Sequence, residues 1–350
     1  MALFGAPLTE RQLLVLLAVV EEHVRTREPV GSRVVQERYG VMASTATIRN
    51  EMAELEQAGY LQQPHTSAGR IPCDVAYRLY VNCLASQRRP ATRALPWLQA
   101  EYRRLGSQPH ELLRATSRLL ARATAHPAVV TEPPATNVQV IALNLQPVSA
   151  STVMLSYKTS DNQEHSHLLR SDVPLTAEAV RALSATLQRL HVGRELSALA
   201  AVSASSVQRQ LGELQAPEDL LAGIRAAAAA DEESAVYVDG TSYILDQPEF
   251  EERSRLKQLM QTLDEDAALR QVMHDATETT DVVVTIGAEH RHPGMRGCSL
   301  VASAYSVHGG RGAVGVLGPT RMDYAQIMDI VEYTARQLTE TFAQTQTSDH

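Results

Sequence analysis

The chain has 350 residues, 44% of them hydrophobic and 21% charged, with a formal net charge of −8. That length favours two or three domains with real cores, and the balance is that of a folded, soluble protein. No apolar run approaches the ~20 residues that cross a bilayer, and three scattered cysteines (Cys73, Cys83, Cys298) make neither a disulfide framework nor a zinc knuckle.

Segment 9–25 reads as a helix. Thr9 and Gln12 form a capping box, Leu8 and Leu13 a hydrophobic staple, and Leu13, Leu17, Val20 and Val24 one apolar stripe. After Glu28-Pro29-Val30-Gly31, a second helix runs from Ser32 to Tyr39 and stops at Gly40. Ser44 caps a third, which runs to Ala58 before Gly59. A short strand over 60–63, a polar turn over 64–69 and a return strand over 70–72 follow. Three helices and a hairpin in ~70 residues is the order of a winged helix-turn-helix.

Further on, 74–85 reads as helix, 86–90 as linker, 94–125 as helix and 126–137 as a proline-bearing break. Strands are expected over 138–145, 151–157 and 165–169, then Ala-rich helix over 176–230. A strand pair is expected around Asp239-Gly240 within 235–245. An amphipathic helix over 249–275, strands over 281–286, 299–307 and 312–317, and a helix over 323–341 close the chain. The pattern is α+β, without internal repeats. A head over 1–86 precedes a sheet domain over 94–171 and 253–345, interrupted by a mostly helical block over 172–252.

Charge is unevenly spread. Residues 1–90 hold ten arginines against nine acidic residues, a balance of +1; residues 91–350 hold 22 basic against 31 acidic, a balance of −9. Such a head can bind nucleic acid if its arginines share a face. On the third helix Ile48, Met52 and Leu55 anchor one side. The other carries Ala46, Asn50, Ala53 and Gln57, flanked by Thr47 and Arg49. Small residues let a backbone into a major groove ~12 Å wide, where Arg and Asn make bidentate contacts to guanine and adenine. Thr47, Arg49 and Asn50 are the expected base contacts. Ser32, Arg33, Ser44 and Thr45 suit phosphates, aided by free amides at the helix N-terminus. The turn His65-Thr66-Ser67-Ala68-Gly69-Arg70 suits a wing along the backbone or minor groove. Helix-turn-helix shapes also mediate protein contacts, and the pattern alone leaves that reading open.

These residues resemble a known family. Thr45-Ala46-Thr47-Ile48-Arg49-Asn50-Glu51-Met52-Ala53-Glu54-Leu55-Glu56, Gly59-Tyr60-Leu61 and the run from Gln63 to Pro72 are similar to the bacterial heat-inducible transcription repressor family HrcA, as is Glu28-Pro29-Val30-Gly31-Ser32. So are Tyr237-Val238-Asp239-Gly240-Thr241-Ser242, Gln247-Pro248-Glu249-Phe250, Cys298-Ser299-Leu300-Val301 and the run from Gly315 to Tyr324. The resemblance implies a winged-helix domain, a GAF-like domain and a dimerising domain inserted into it. It implies a cytoplasmic homodimer on an inverted-repeat operator, the CIRCE element, before chaperone genes, with the chaperonin GroEL as a modulating partner. No catalytic constellation is visible in the sequence, so no enzymatic activity and no cofactor are expected. Four stretches depart from the family pattern: Arg33 stands for Lys, Cys73-Asp74-Val75-Ala76 for Thr-Asp-Lys-Gly, Ala43-Ser44 for Val-Ser, and His290 for Asn.

Other signals point to structure. Gly310-Arg311-Gly312-Ala313-Val314-Gly315 spells a dinucleotide fingerprint but lacks the following helix, and is read as a turn between antiparallel strands. His165-x-His167 and His290-x-His292 lack a neighbouring ligand set in sequence and are read as strand or surface histidines. Ser67 and Cys298 lack a sequence-level histidine partner, so no nucleophile is inferred. Arg321-Met322-Asp323-Tyr324 reads as a helix cap with Asp323 at the N-terminus, in preference to a subunit contact.

Overall fold

The computed structural model describes residues 8–65, 68–87, 96–102, 109–133, 138–160, 163–211, 217–232, 235–307 and 310–347. The architecture is α+β, in two compact units: residues 1–132 with 236–350, and residues 133–235. None of the described helices is long and apolar enough to cross a membrane.

The first unit opens with α1 (Glu10–Thr26), α2 (Ser32–Tyr39) and α3 (Thr45–Gln57). The reciprocal Thr9–Gln12 capping box is present. Gly40 closes α2 at φ 60° and Gly59 follows α3 at φ 81°, conformations without a Cβ penalty in glycine. Strands β1 (Leu61–Gln62) and β2 (Ile71–Pro72) pair antiparallel, Leu61 opposite Pro72, and a bridge from Val30 to Arg70 widens the hairpin. Helix α4 (Asp74–Gln87) leads out. Then come α5 (Pro96–Tyr102) and α6 (Pro109–Thr124), two helices where one was expected over 94–125.

Strand β3 (Ala128–Thr131) falls where a break was expected. It is four buried residues long, between Pro127 and Pro133, so it shows no alternation and the prolines dominate the reading. It forms the second strand of a five-stranded antiparallel sheet in the order β7 (Val236–Asp239), β3, β10 (Gly310–Pro319), β9 (Cys298–Val307), β8 (Val283–Ile286). Alternation then sorts its two faces. Ala128, Val130, Val301, Tyr305, Val314 and Val316 share a core with α6, the long closing helix α13 (Tyr324–Thr347) and the head. Val129, Leu300, Ala302, Ala313 and Leu317 face α11 (Arg253–Leu263) and α12 (Asp266–Thr277). Those two helices replace the single one expected over 249–275. No strand pair forms over 235–245: β7 pairs with β3, and Thr241–Asp246 winds into a 3-10 turn.

The glycine-rich run lies inside β10 rather than in a turn. A Cβ at Gly312 would stand 2.4 Å from Cζ of Tyr305, and one at Gly315 3.0 Å from Cε of Met273. These glycines let large side chains seat on the strand.

The second unit holds the antiparallel sheet β4 (Val140–Ser149), β5 (Thr152–Thr159), β6 (Glu164–Arg170), with α7 (Ala177–His191), α8 (Leu196–Ala200), α9 (Ala204–Leu211) and α10 (Glu218–Glu232). Leu143, Leu145, Val153 and Leu155 pack there with Leu183, Leu187, Leu220 and Ile224. The insert expected over 172–252 therefore begins earlier and ends sooner. Among the described residues, strands β4 to β6 pair only with one another and bury their inner face under the helices that follow, while β7 belongs to the other sheet.

His290, one of the family departures, is 4% exposed, and its Nε2 has no hydrogen-bond partner among the described residues. Burial pushes its pKa down to about 4, against the pull of Glu289 and Asp74 and with a small push from His292. The unfolded chain therefore binds the proton first. Stability is complete above about pH 6.5 and is lost as pH falls towards 4. Between pH 7 and pH 5 this one group should cost about 2 kcal/mol. Denaturant titrations at both pH values, on the wild type and on His290→Asn, measure it as the difference of differences. Equal losses in the two proteins would refute it.

Candidate nucleic-acid interface

Helix α3 turns Ile48, Met52 and Leu55 into the head's core against α1 and α2, and leaves Ala46, Arg49, Asn50, Glu54 and Gln57 exposed. Ser44 precedes it in extended backbone. Its Oγ accepts the Thr47 amide at 3.1 Å and lies 2.8 Å from the Thr47 hydroxyl. Ser44→Ala should lower head stability by ~1 kcal/mol through loss of this cap. Chemical denaturation of the variant reads it, and an unchanged midpoint would show the cap to be idle.

Charge on α3 is arranged by its neighbours. The helix carries Arg49 against Glu51, Glu54 and Glu56. Buried Glu51 accepts from Arg11 Nε at 2.6 Å. Glu54 accepts from Gln12 at 2.8 Å. Glu56 pairs with Arg70 at 2.9 Å and accepts the Gln63 amide at 3.1 Å. All three carboxylates are thereby drawn onto α1 and the hairpin. Arg49 and Asn50 remain exposed, with no hydrogen-bond or ion-pair partner among the described residues. On α1, buried Glu22 accepts from Arg25 at 2.7 Å, Arg38 at 2.9 Å and the Tyr39 hydroxyl at 3.2 Å, which locks α2 in place.

The other expected contact residues divide. Ser32 is half-buried as the first residue of α2, and Thr45 likewise opens α3. Arg33 is exposed and paired with Glu37 at 2.7 Å. Such a fully exposed pair is weak in water and exchanges readily for a phosphate. His65 is exposed, its carbonyl accepting the Ala68 amide at 2.8 Å. Thr66 and Ser67 lie outside the described residues. Arg70 departs from expectation: its side chain is 16% exposed, bound to Glu56, and its Nε is buried. Its geometry fixes the hairpin on α3. Sequence reading missed the two residues that tether the acidic groups of α3, Arg11 and Gln12. Only the fold tells which faces of α1 and α3 meet. Sequence reading also missed Met42, fully exposed between α2 and α3.

The head is fastened to the sheet below it. The Asp74 carboxylate, at the first residue of α4, accepts the Ala288 amide at 3.0 Å. Arg78 on α4 donates to Glu289 at 2.7 Å and to the Val284 carbonyl. Burial works against the Glu289 carboxylate, yet Arg78 and the Ile286 amide hold its pKa below the usual range. Tyr77 and Tyr324 meet with ring centroids 6.1 Å apart. Cys298, from whose sequence context no nucleophile is inferred, is a buried free thiol at the start of β9 whose pKa burial pushes up to about 12, which keeps it protonated and inert.

Comparison with known proteins bears on what this surface serves. The family profile described as "HrcA protein C terminal domain" matches residues 110–328. The heat-inducible transcription repressor HrcA of Desulforudis audaxviator is 34% identical over 331 residues, covering 94% of this chain and 96% of that protein. That of Moorella thermoacetica is 34% identical over 341 residues, covering 96% and 98%. Among solved structures, the crystal structure of a hypothetical protein shares the fold with a TM-score of 0.61 at 23% identity, covering 97% of this chain and 98% of that one.

Proposed function

Since the chain belongs to the HrcA family, we propose that it is a cytoplasmic, dimeric repressor of heat-shock (chaperone) genes that binds a CIRCE-type inverted-repeat operator. The head acts as a winged helix-turn-helix. Helix α3 enters the major groove, where Arg49 and Asn50 read guanine and adenine edges and Thr47 lines the approach. Ser32, Arg33, Ser44 and Thr45 hold phosphates, and the turn around His65, Thr66 and Ser67 follows the backbone as a wing. Arg70 keeps the hairpin aligned with α3. The five-stranded sheet and its helices form the GAF-like domain. The second unit serves as the dimerising domain, so that two heads meet two half-sites of a symmetric operator. GroEL keeps the repressor active; on heat stress misfolded chains occupy the chaperonin and the genes are released.

The observation that carries this reading is the pair Arg49 and Asn50, exposed and unengaged on a helix whose acidic groups are all tied down. The test is fluorescence anisotropy on an inverted-repeat duplex against one with scrambled half-sites, at ~150 mM salt, where non-specific binding is weak. A preference of ~10³ or more is expected. Equal, weak binding to both duplexes, with chaperonin present as well as absent, would overturn the reading.

A further inference from the structure

Two histidines discounted in the sequence acquire a partner in the fold. His165 and His167 occupy alternate positions of β6, so both rings project from the face that packs on α10. There they converge on Asp231, 64 residues beyond His167 in the chain. Asp231 Oδ2 lies 3.0 Å from His165 Nδ1 and 2.6 Å from His167 Nε2. The Tyr157 hydroxyl donates to the same oxygen, and its ring stacks on His165 with centroids 4.9 Å apart. The side chains of His165, His167 and Asp231 are 23%, 29% and 17% exposed, which leaves solvent on one side.

We propose that His165, His167 and Asp231 form a binding site for a divalent first-row transition ion of the Zn²⁺ class, with water in the remaining position. Two imidazole nitrogens and one carboxylate oxygen are the donor set such an ion selects. The three ligand atoms lie within 4.8 Å of one another, a spread that small side-chain rotations close to coordination distances. Two further features favour a cation. Without one, a single carboxylate oxygen must accept from three donors, one more than its two lone pairs hold. An ion relieves this, because neutral imidazoles then offer lone pairs to the metal and only Tyr157 donates to the carboxylate, as an outer-shell partner. Asp231 also sits in the last turn of α10, where the helix dipole disfavours a carboxylate and no basic residue compensates. By contrast His290 and His292, the other such pair, do not converge on a carboxylate: His290 is buried, and His292 lies 3.5 Å from the Thr262 hydroxyl. The bound ion would tie β6 to α10 and link the stability of the second unit to metal.

The test uses the untagged full chain, freed of metal by chelator and titrated with Co²⁺, then with Zn²⁺ in competition. One equivalent of Co²⁺ should bind with visible d–d absorption, Zn²⁺ should displace it, and Zn²⁺ should raise the melting temperature. His167→Ala and Asp231→Asn should abolish all three effects while keeping the far-ultraviolet circular dichroism of the wild type. Should Asp231→Asn fail to fold, His165→Gln replaces it as the second variant. Absence of stoichiometric Co²⁺ binding to the wild type would overturn the proposal, as would binding that persists unchanged in the folded variants.

Discussion

Replacing Arg49 or Asn50 with alanine should each weaken operator binding by ~1–3 kcal/mol, roughly 5- to 150-fold, and flatten discrimination at the base pair concerned. Both side chains leave the exposed face of α3 without a partner in the head, so their removal leaves the fold intact and the loss appears in binding alone. Arg33→Ala makes the contrasting control. In the proposed complex its guanidinium holds a phosphate, so its loss should weaken binding to every sequence alike and lower the salt dependence by about one counterion. Arg70→Ala should behave differently again. It frees Glu56 and loosens the hairpin from α3, so affinity falls through a destabilised head, visible in unfolding before any DNA is added. Anisotropy across a set of single-base operator variants, at two salt concentrations, separates the three patterns. Full affinity and full discrimination in both Arg49→Ala and Asn50→Ala would remove α3 from the groove.

The elements of the head were legible in the sequence because local signals agree there. A capping box, glycines at the stops of α2 and α3, and an apolar stripe all mark the same boundaries, and the structure places α1, α2 and α3 within a residue or two of them. Strands β8, β9 and β10 were legible through their long apolar runs. Where a segment takes its conformation from a distant partner, the sequence misled. Strand β3 exists because β7 and β10 flank it, not because Ala128–Thr131 favours extension against nearby prolines. The turn dipeptide Asp239-Gly240 was real, with Gly240 at φ 77°, but β7 was already committed to β3 and the chain wound into a 3-10 turn. The boundary of the second unit went astray for the same reason, since nothing in 138–171 says which sheet its strands join.

The candidate interface shows the same division. That Arg49 and Asn50 stand on the outer face of α3 follows from helical periodicity. That Arg70 turns inward does not, because its partner Glu56 and its bridge to Val30 are contacts across the fold. The electrostatic preparation of α3 is likewise a tertiary property: a helix with three carboxylates and one arginine is unpromising for DNA until Arg11 and Arg70 pair with two of them and Gln12 hydrogen-bonds the third. The convergence of His165 and His167 with Asp231 is the extreme case, with two of its residues on an edge strand and the third on a helix far along the chain.

Glu249→Ala should destabilise the first unit strongly, by about 3 kcal/mol, because it strands a buried guanidinium. Arg321 is 9% exposed at its side chain. Its Nε donates to Glu249 Oε1 at 2.6 Å, and its Nη2 donates to Glu249 Oε2 at 3.3 Å and to Gln247 Oε1 at 3.1 Å. Arginine stays charged at any working pH, so without Glu249 the charge persists in the core. Its surroundings offer no relief. His23 and His126 are both held below their ordinary pKa, first by burial and then in part by Arg321 itself. The pair joins the turn Pro248–Phe250 to the segment that launches α13, where Asp323 Oδ1 accepts the Gln326 amide at 3.1 Å and Tyr324 bonds the Thr320 carbonyl. A loss of that size lowers the melting temperature of a unit this large by roughly 6–12 °C. Two companions establish the cause. Glu249→Gln keeps the hydrogen-bonding shape without the charge and should fall between wild type and Glu249→Ala. The double replacement Arg321→Met with Glu249→Leu removes the stranded charge and should recover most of the loss. Calorimetry on the four proteins decides the matter: a Glu249→Ala variant that melts with the wild type, or a double variant no better than the single one, would show that the buried charge is not what the pair is there to neutralise.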